Sequence, residues 1–298
     1  MNQKVNINLP NGIELYIKRE DLLHPYISGN KFRKLKYNVL EALRLEKEQL
    51  LTFGGAFSNH ILALAAAGKE NNLPTIGVIR GEELENKVED NPTLLKAMEF
   101  GMQFKFVSRA QYRLKEEGSF LVDLQKEFGD FYLVPEGGTN SLAIKGCEEI
   151  LDSEDKIFDF VCCAVGTGGT ISGIINSAAN HQKVLGFSSL KGGFLSDVIC
   201  NFVTRKNWEI FSEYHFGGYG KTTDELIGFL NSFYENTGIP LDPIYTGKMM
   251  YGILDMVNRG LIPSNSKIVA IHTGGLQGIK GMNQVLKNKN KIQLKYES

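Results

Sequence analysis

A chain of 298 residues, 42% hydrophobic and 22% charged, has the balance of a globular protein and length enough for two domains. Its formal net charge of −1 leaves no global field toward nucleic acid or an anionic membrane surface. No apolar run approaches the ~20 residues of a membrane span, and residues 1–10 lack the apolar core of a signal peptide, so a cytoplasmic protein is expected.

Strand and helix signals alternate along the chain. Residues 50–53 are a short apolar run ending in Gly54-Gly55, and residues 61–67 have a helical Ala/Leu composition. A strand is predicted at 75–79, a helix at 93–100 and a strand at 104–107. A helix near 121–128, a strand at 131–134 and a helix at 142–151 follow. Residues 158–165 are nearly all apolar β-formers and predict the clearest strand, continued by a helix at 171–178. Further strands are expected at 184–187, 208–211 and 267–271, and helices at 223–234 and 248–258. The class is α/β, with open, mostly parallel twisted sheets and helices on both faces. The four cysteines, Cys147, Cys162, Cys163 and Cys200, are not spaced as a metal site or a redox pair. Cys162 and Cys163 read as buried reduced thiols, which suits a cytoplasmic compartment.

Many of the 32 glycines follow predicted strands: Gly54-Gly55, Gly137-Gly138, Gly166 with Gly168-Gly169, Gly217-Gly218 and Gly274-Gly275. Ligands of open parallel sheets bind at the carboxyl ends of strands, so these turns point to one shared pocket, although α/β chains need tight turns in any case. Gly166-Thr167-Gly168-Gly169-Thr170 stands between a strand and a helix. Its backbone N–H groups, the helix dipole and two hydroxyls suit a compact phosphate site, the alternative being a structural turn. It is neither a P-loop nor a dinucleotide fingerprint, because no Gly-Lys-Ser/Thr follows and the sixth position is Ile171.

Lys31 opens an amphipathic helix with Leu35, Val39, Leu40 and Leu43 on one side. A cation there is disfavoured by the helix dipole and would lose its proton more easily, which suits covalent amine chemistry. Lys34, one turn on, is within reach of a phosphate. Residues alone favour a plainer reading, in which Lys31, Arg33, Lys34 and Lys36 form a solvated basic face. Ser58 or Asn59 is a sound helix N-cap, and that helix N-terminus suits a carboxylate. His60 alone carries no catalytic argument.

In order along residues 18–275, these segments carry a resemblance. They are Lys18-Arg19-Glu20-Asp21, Gly29-Asn30-Lys31 with Arg33-Lys34-Leu35, Gly54-Gly55 leading to Ser58-Asn59-His60, and Gly166 to Thr170. Gly217-Gly218-Tyr219-Gly220, Asp242-Pro243-Ile244-Tyr245-Thr246-Gly247-Lys248 and His272-Thr273-Gly274-Gly275 complete the set. The chain resembles the pyridoxal-phosphate (PLP) dependent 1-aminocyclopropane-1-carboxylate (ACC) deaminase and D-cysteine desulfhydrase family, of the tryptophan-synthase-β fold type (fold type II). The ordered set overturns the solvated-face reading of Lys31. The resemblance implies that Lys31 is the Schiff-base lysine, which also moves the substrate α-proton. It implies that Lys34 and Gly166, Thr167, Gly168, Gly169 and Thr170 hold the phosphate, and that Asn59 lies near the ring hydroxyl. Ser58, with Asn59 and His60, would meet the substrate, Ser58 at its carboxylate and as nucleophile in the deaminase branch. Tyr219 and Tyr245 match two active-site tyrosines, and Thr246 the position facing the pyridine nitrogen. Two domains are implied, a smaller one at 35–140 and a larger PLP-binding one from 1–34 and 141–298, in a homodimer. Ser28 departs from the pattern where many members have glycine, and Ile61-Leu62 where a small residue and an arginine are common.

PLP supplies an electron sink and the protein selects the reaction. A neutral hydroxyl at Thr246, where the deaminases resemble one another in having glutamate, implies a shallow sink that favours expulsion of a β-leaving group. His60 also agrees with the desulfhydrase pattern. The expected reaction is therefore β-elimination from a small amino acid, D-cysteine to pyruvate, sulfide and ammonia. ACC deaminase is the alternative, and a non-catalytic protein binding PLP or another phosphate ligand is the alternative of another class. No metal, nucleic acid or membrane partner is expected.

Overall fold

The computed structural model describes residues 1–296. The elements run β1 (Asn2–Lys4), β2 (Glu14–Lys18), α1 (Asn30–Arg44), β3 (Leu50–Gly54), α2 (Asn59–Glu70), β4 (Thr75–Arg80), α3 (Pro92–Glu99), β5 (Met102–Val107), α4 (Arg109–Tyr112), α5 (Gly118–Phe128) and β6 (Tyr132–Val134). They continue α6 (Ser141–Cys147), β7 (Phe160–Val165), α7 (Gly169–Ser177), β8 (Lys183–Ser188), α8 (Leu195–Cys200), β9 (Trp208–Phe211), α9 (Asp224–Thr237), α10 (Thr246–Asn258), β10 (Lys267–Ile271) and α11 (Ile279–Asn288). Among the described residues no helix is long and apolar enough to cross a membrane.

Two sheets form. One has the order β5-β4-β3-β6 and is parallel throughout; the other has the order β1-β2-β10-β7-β8-β9 and is parallel except for β1 against β2. Each sheet is coated on both faces, as parallel sheets require. Strand alternation does the sorting. In β7, Cys162 and Ala164 face the layer of α9, α10 and α11, while Val161, Cys163 and Val165 face α7 and α8. The two neighbouring cysteines therefore lie in opposite apolar layers as free buried thiols. In the smaller sheet, Leu51 and Phe53 of β3 pack toward α4 and α5, and Leu50 toward α1, α2 and α3.

One expectation about α1 is corrected. Its buried face is Leu35, Asn38, Val39 and Ala42, while Leu40 and Leu43 are exposed. Positions 35, 38, 39 and 42 follow the i, i+3, i+4, i+7 spacing of a helix stripe, and 40 and 43 fall outside it.

Topology fixes where a ligand goes. From β3 the chain winds outward through β4 and β5, then returns to lay β6 on the other side of β3. From β7 it winds outward through β8 and β9, then returns to lay β10 on the other side of β7. Each sheet thus has a switch point, and crevices open at the carboxyl ends of the strands there. A single cavity of about 520 Å³ is lined from all four switch-point strands: Gly55 to His60 after β3, Glu136 and Gly137 after β6, Gly166 to Gly168 after β7, and Thr273 to Gly275 after β10.

Candidate active site

The start of α1 is pressed against the loop after β10 by a glycine. Gly29 has φ +59°, and a Cβ there would lie 2.1 Å from the Thr273 carbonyl oxygen. Only glycine fits, on backbone and steric grounds alike. The first turn of α1 then radiates into the cavity. Asn30 Nδ2 donates to Thr170 Oγ1 at 2.8 Å, and Lys31 Nζ to the Gly137 carbonyl at 3.4 Å. Lys34 Nζ donates to the Gly137 carbonyl at 3.0 Å and to the hydroxyls of Thr139 and Thr167 at 3.1 and 3.5 Å. Arg33 turns the other way and makes a bidentate pair with buried Glu20 at 2.7 and 3.0 Å. Lys36 alone of the four basic residues is solvated, paired with Glu149. The solvated-face reading therefore fails on geometry as well.

Burial pushes the Lys31 amine down to about 7, and the neighbouring Lys34 charge pushes it the same way. Burial also lowers Lys34. Among the described residues neither lysine has a carboxylate within ion-pair distance. Glu136, the one acid lining the cavity among the described residues, pairs with Lys115 at 3.6 Å. Two enclosed amines without a counter-anion, beside a helix N-terminus, make a site that lacks negative charge. Gly168 stands at that N-terminus as the N-cap of α7 with φ +84°, and the loop Gly166 to Gly168 lines the cavity there, the arrangement of an anion-binding turn. Gly169 packs behind it, where a Cβ would lie 3.3 Å from Lys34 Nζ.

The opposite wall comes from α2 and α10. Ser58 caps α2, its Oγ accepting from the His60 N–H at 3.2 Å. Asn59 makes no hydrogen bond through its side chain among the described residues and lies against Gly275, where a Cβ would be 3.1 Å from Nδ2. His60 is buried and held neutral, its basicity lowered chiefly by burial and then by Lys31 and Lys34. Its Nε2 meets Thr52 Oγ1 at 3.0 Å, and that hydroxyl donates to the Val134 carbonyl at 2.7 Å. The Thr52 proton is thereby committed, so the geometry fixes the Nε2–H tautomer and leaves Nδ1 as an unpaired acceptor. Tyr245, just before α10, lies edge-on to Tyr219 with ring centroids 6.1 Å apart. Burial, followed by Tyr219, raises the Tyr245 phenol well above its usual value, so it stays protonated.

Thr246 is not where the sequence reading puts it. It is fully buried, and its hydroxyl donates to Asp242 Oδ2 at 2.6 Å while accepting from the Asp242 N–H at 2.9 Å. Asp242 also accepts from the N–H groups of Ile244, Tyr245 and Thr246. Thr246 thus ties off the loop that aims Tyr245, and it does not line the cavity. Thr246→Val is expected to cost about 1–3 kcal/mol, the penalty for leaving buried polar atoms of Asp242 short of a partner. A lowered melting temperature with an unaltered visible spectrum of bound cofactor is the expected result. A shifted spectrum at unchanged stability would return the hydroxyl to the ring.

Every other residue expected in the site lies in or against this cavity: Lys31, Lys34, Ser58, Asn59, His60, Gly166, Thr167, Gly168, Thr170, Tyr219 and Tyr245 line it, with Gly169 directly behind. Sequence reasoning missed four others. Thr273 lines the cavity, and its hydroxyl makes no hydrogen bond among the described residues. It sits inside the His272 to Gly275 segment, where residue type alone points to no role. Asn30 lies beside Lys31 in the same way. Arg80 and Glu136 line the mouth. A single charge ending the apolar run of β4 is the one signal for Arg80, whose guanidinium lies over the Tyr112 ring at 5.6 Å.

Residues 6–274 match the family described as "Pyridoxal-phosphate dependent enzyme". The chain belongs to that family. The enzyme is 29% identical to a putative 1-aminocyclopropane-1-carboxylate deaminase of Pyrococcus horikoshii, over 92% of this chain and 88% of that protein. It is 32% identical to the bifunctional D-cysteine desulfhydrase/1-aminocyclopropane-1-carboxylate deaminase, mitochondrial, of Arabidopsis thaliana, over 91% of this chain and 74% of that protein. The crystal structure of an ACC deaminase homologue superposes with a TM-score of 0.80 at 29% identity, covering 97% of this chain and 93% of the other. The enzyme is a PLP-dependent lyase with the two-sheet fold of fold type II. The residues present fit this cofactor. A dianionic phosphate supplies the negative charge that Lys31, Lys34 and the α7 N-terminus lack, and an amine held near 7 is ready to meet an aldehyde.

The depressed amine gives a pH test. Only the neutral amine attacks an aldehyde, so covalent uptake of PLP by apoenzyme is expected to rise with pH and level off above about 7. A rate still climbing steeply near pH ~9, as for a lysine at its ordinary 10.5, would show that the reacting amine is not the buried one.

Proposed function

We propose that this enzyme carries PLP on Lys31 and catalyses β-elimination from a small amino acid in the manner of a D-cysteine desulfhydrase, giving pyruvate, sulfide and ammonia from D-cysteine. The observation that carries this reading is the character of the cavity wall: Glu136 is its only acid among the described residues, and that carboxylate is paired with Lys115. No wall carboxylate is free to hold a proton on the pyridine nitrogen. Thr273, not Thr246, is then the neutral hydroxyl on this wall that would face the nitrogen.

When bound, PLP draws electrons from the substrate α-carbon. Lys34 and the Gly166 to Thr170 loop would hold the phosphate by ammonium, backbone N–H and hydroxyl donors. Asn59, whose side chain makes no hydrogen bond among the described residues, would meet the ring hydroxyl, and Ser58 with the α2 N-terminus would receive the substrate carboxylate. Lys31 Nζ, low in basicity through burial, takes the α-proton and is reset near neutral pH. Tyr245, kept protonated, donates toward the departing sulfur with Tyr219 beside it.

Incubation with D-cysteine, L-cysteine and ACC, reading sulfide, keto acid and ammonia, tests this directly. Sulfide with pyruvate from D-cysteine is expected. Ammonia and a four-carbon keto acid from ACC, without sulfide from D-cysteine, would establish ACC deaminase instead, with Ser58 as its nucleophile. A colourless protein gaining no visible absorbance with PLP would leave only the non-catalytic reading. We further propose that the smaller sheet is the core of a domain spanning 35–140, and that the chain forms a homodimer. The exposed apolar residues Leu40 and Leu43 of α1 favour a covered surface, and sedimentation would measure it.

A further inference from the structure

Lys248, in the first turn of α10, is a lysine in an unusual place. It is 1% exposed, and no carboxylate lies within ion-pair distance of it among the described residues. Its ammonium donates instead to the carbonyls of His215 at 2.8 Å and Gly218 at 2.9 Å. Burial lowers its basicity to about 8, against the opposing pull of Asp242. Keeping a charged group out of water is costly where a Met or Leu would fill the same volume, so its two hydrogen bonds are what the position supplies.

Both carbonyls belong to the segment that presents Tyr219. Phe216, Gly217, Gly218 and Gly220 all have positive φ, at 50°, 94°, 107° and 66°. Such a backbone cannot enter a helix or a sheet ladder and must find partners elsewhere. Within the segment, the His215 carbonyl accepts from the Gly218 N–H at 3.0 Å and the Gly218 carbonyl from the Lys221 N–H at 3.1 Å. Lys248 joins these two turns from outside. Two further anchors flank these turns: Phe216, edge-on to Tyr251 of α10 at 4.9 Å, and buried Tyr214, just before the segment, which donates to Asp255 of α10 at 2.7 Å. Tyr219 follows Gly218 directly and is half exposed, so the placement of its ring against Tyr245 depends on how this segment is held. Tyr245, its ring partner, lies three residues before Lys248 on the same helix start.

We propose that Lys248 is a positioning residue: its ammonium clamps the His215 to Gly220 segment onto α10, so that Tyr219 and Tyr245 face the substrate as a fixed pair. This rests on the reading that both tyrosines act on the substrate. The clamp joins two chain segments through one side chain, and its loss releases Tyr219 while Phe216 still holds the segment to the core.

The test uses PLP-loaded enzyme and whichever amino acid of the substrate panel it turns over. Lys248→Met keeps the apolar stem and removes the donors. It is expected to lower kcat by about 10–100-fold, the scale of a displaced catalytic group, with PLP affinity and the visible spectrum unchanged. Amide hydrogen exchange at Gly217 to Gly220 should lose protection, while β7 and α7 keep theirs. Made in a Tyr219→Ala background, the same substitution should change kcat by less than about 2-fold, because the two changes act through one group. An equal fall in both backgrounds, or undiminished kcat in Lys248→Met, would overturn the proposal. Unchanged exchange at Gly217 to Gly220 would overturn the clamp itself. Full turnover in Tyr219→Ala would instead overturn the reading of that tyrosine, and the positioning role with it. If Lys248→Met does not fold, Lys248→Gln, which keeps one donor group, is read by the same exchange measurement and the same cycle.

Discussion

Lys31→Ala is expected to abolish covalent capture of PLP and to lower turnover by about a thousand-fold or more, with the fold intact. Alanine has the highest helix propensity, and position 31 is the second residue of α1, so the helix tolerates it. The structural loss is small. The Lys31 amine makes one long hydrogen bond, 3.4 Å to the Gly137 carbonyl, and carries the cost of burial and of Lys34 nearby. Removing it relieves both, so the melting temperature of the apoenzyme should hold or rise. The chemical loss is large, because the covalent link and the proton acceptor disappear together. Lys34 and the glycine loop remain, so PLP should still bind, free of covalent attachment, and borohydride should fix none of it to the chain. A variant that keeps turnover and a borohydride-fixable cofactor would point to Lys34, the other enclosed amine. Lys34→Ala separates the two, since it should weaken PLP binding and leave the covalent link possible.

Particular residues show how much of the fold and of the site is legible in the sequence. Strands with long apolar runs were legible: 208–211 and 267–271 coincide with β9 and β10, and 158–165 overlaps β7 but for its first two residues. β7 and β10 are buried on both faces, so no competing pattern obscures their apolar runs, whereas β9 is a half-exposed edge strand marked by the β-formers Trp208, Ile210 and Phe211. β1 and β2 were missed because three and five residues, partly charged and half buried, carry little periodic signal. α11 was missed although it is amphipathic, with Gly281 and Asn283 diluting its propensity. For the site, residue identity and order located the cavity, since glycine turns at strand ends converge whenever a sheet has a switch point. What sequence order does not encode is where a buried side chain points. Thr246 and Thr273 are both hydroxyls in recognised segments. Only the bonds of Asp242 show that the first is consumed in holding a loop. In the same way Lys248 ends the Asp242 to Lys248 segment, and its part is visible only once the His215 and Gly218 carbonyls lie beside it.

Gly168→Asp should raise the dissociation constant for PLP by about 100-fold or more while leaving a folded protein. Space is available, because a Cβ at 168 would meet only Ile199 and Val198 side chains at 3.4 and 3.5 Å, ordinary contacts. The backbone cost comes from φ +84°, about 1–2 kcal/mol for a residue other than glycine and less for aspartate than for most. The larger effect is electrostatic. A carboxylate at the N-cap of α7 takes up the donors that the phosphate needs and stands beside its charge. At ~5 Å and an effective dielectric constant of ~20, two like unit charges repel by about 3 kcal/mol, roughly two powers of ten in affinity. Gly168→Ala separates the causes, since it carries the backbone strain without the charge and should bind PLP within about 10-fold of the parent enzyme. Titration of each apoenzyme with PLP, followed by visible absorbance, reads the affinities, and melting curves read the strain. Equal losses in both variants would mean that loop shape alone governs binding. Parent-like affinity in Gly168→Asp would remove the Gly166 to Thr170 loop from the phosphate site and leave Lys34 as its principal holder.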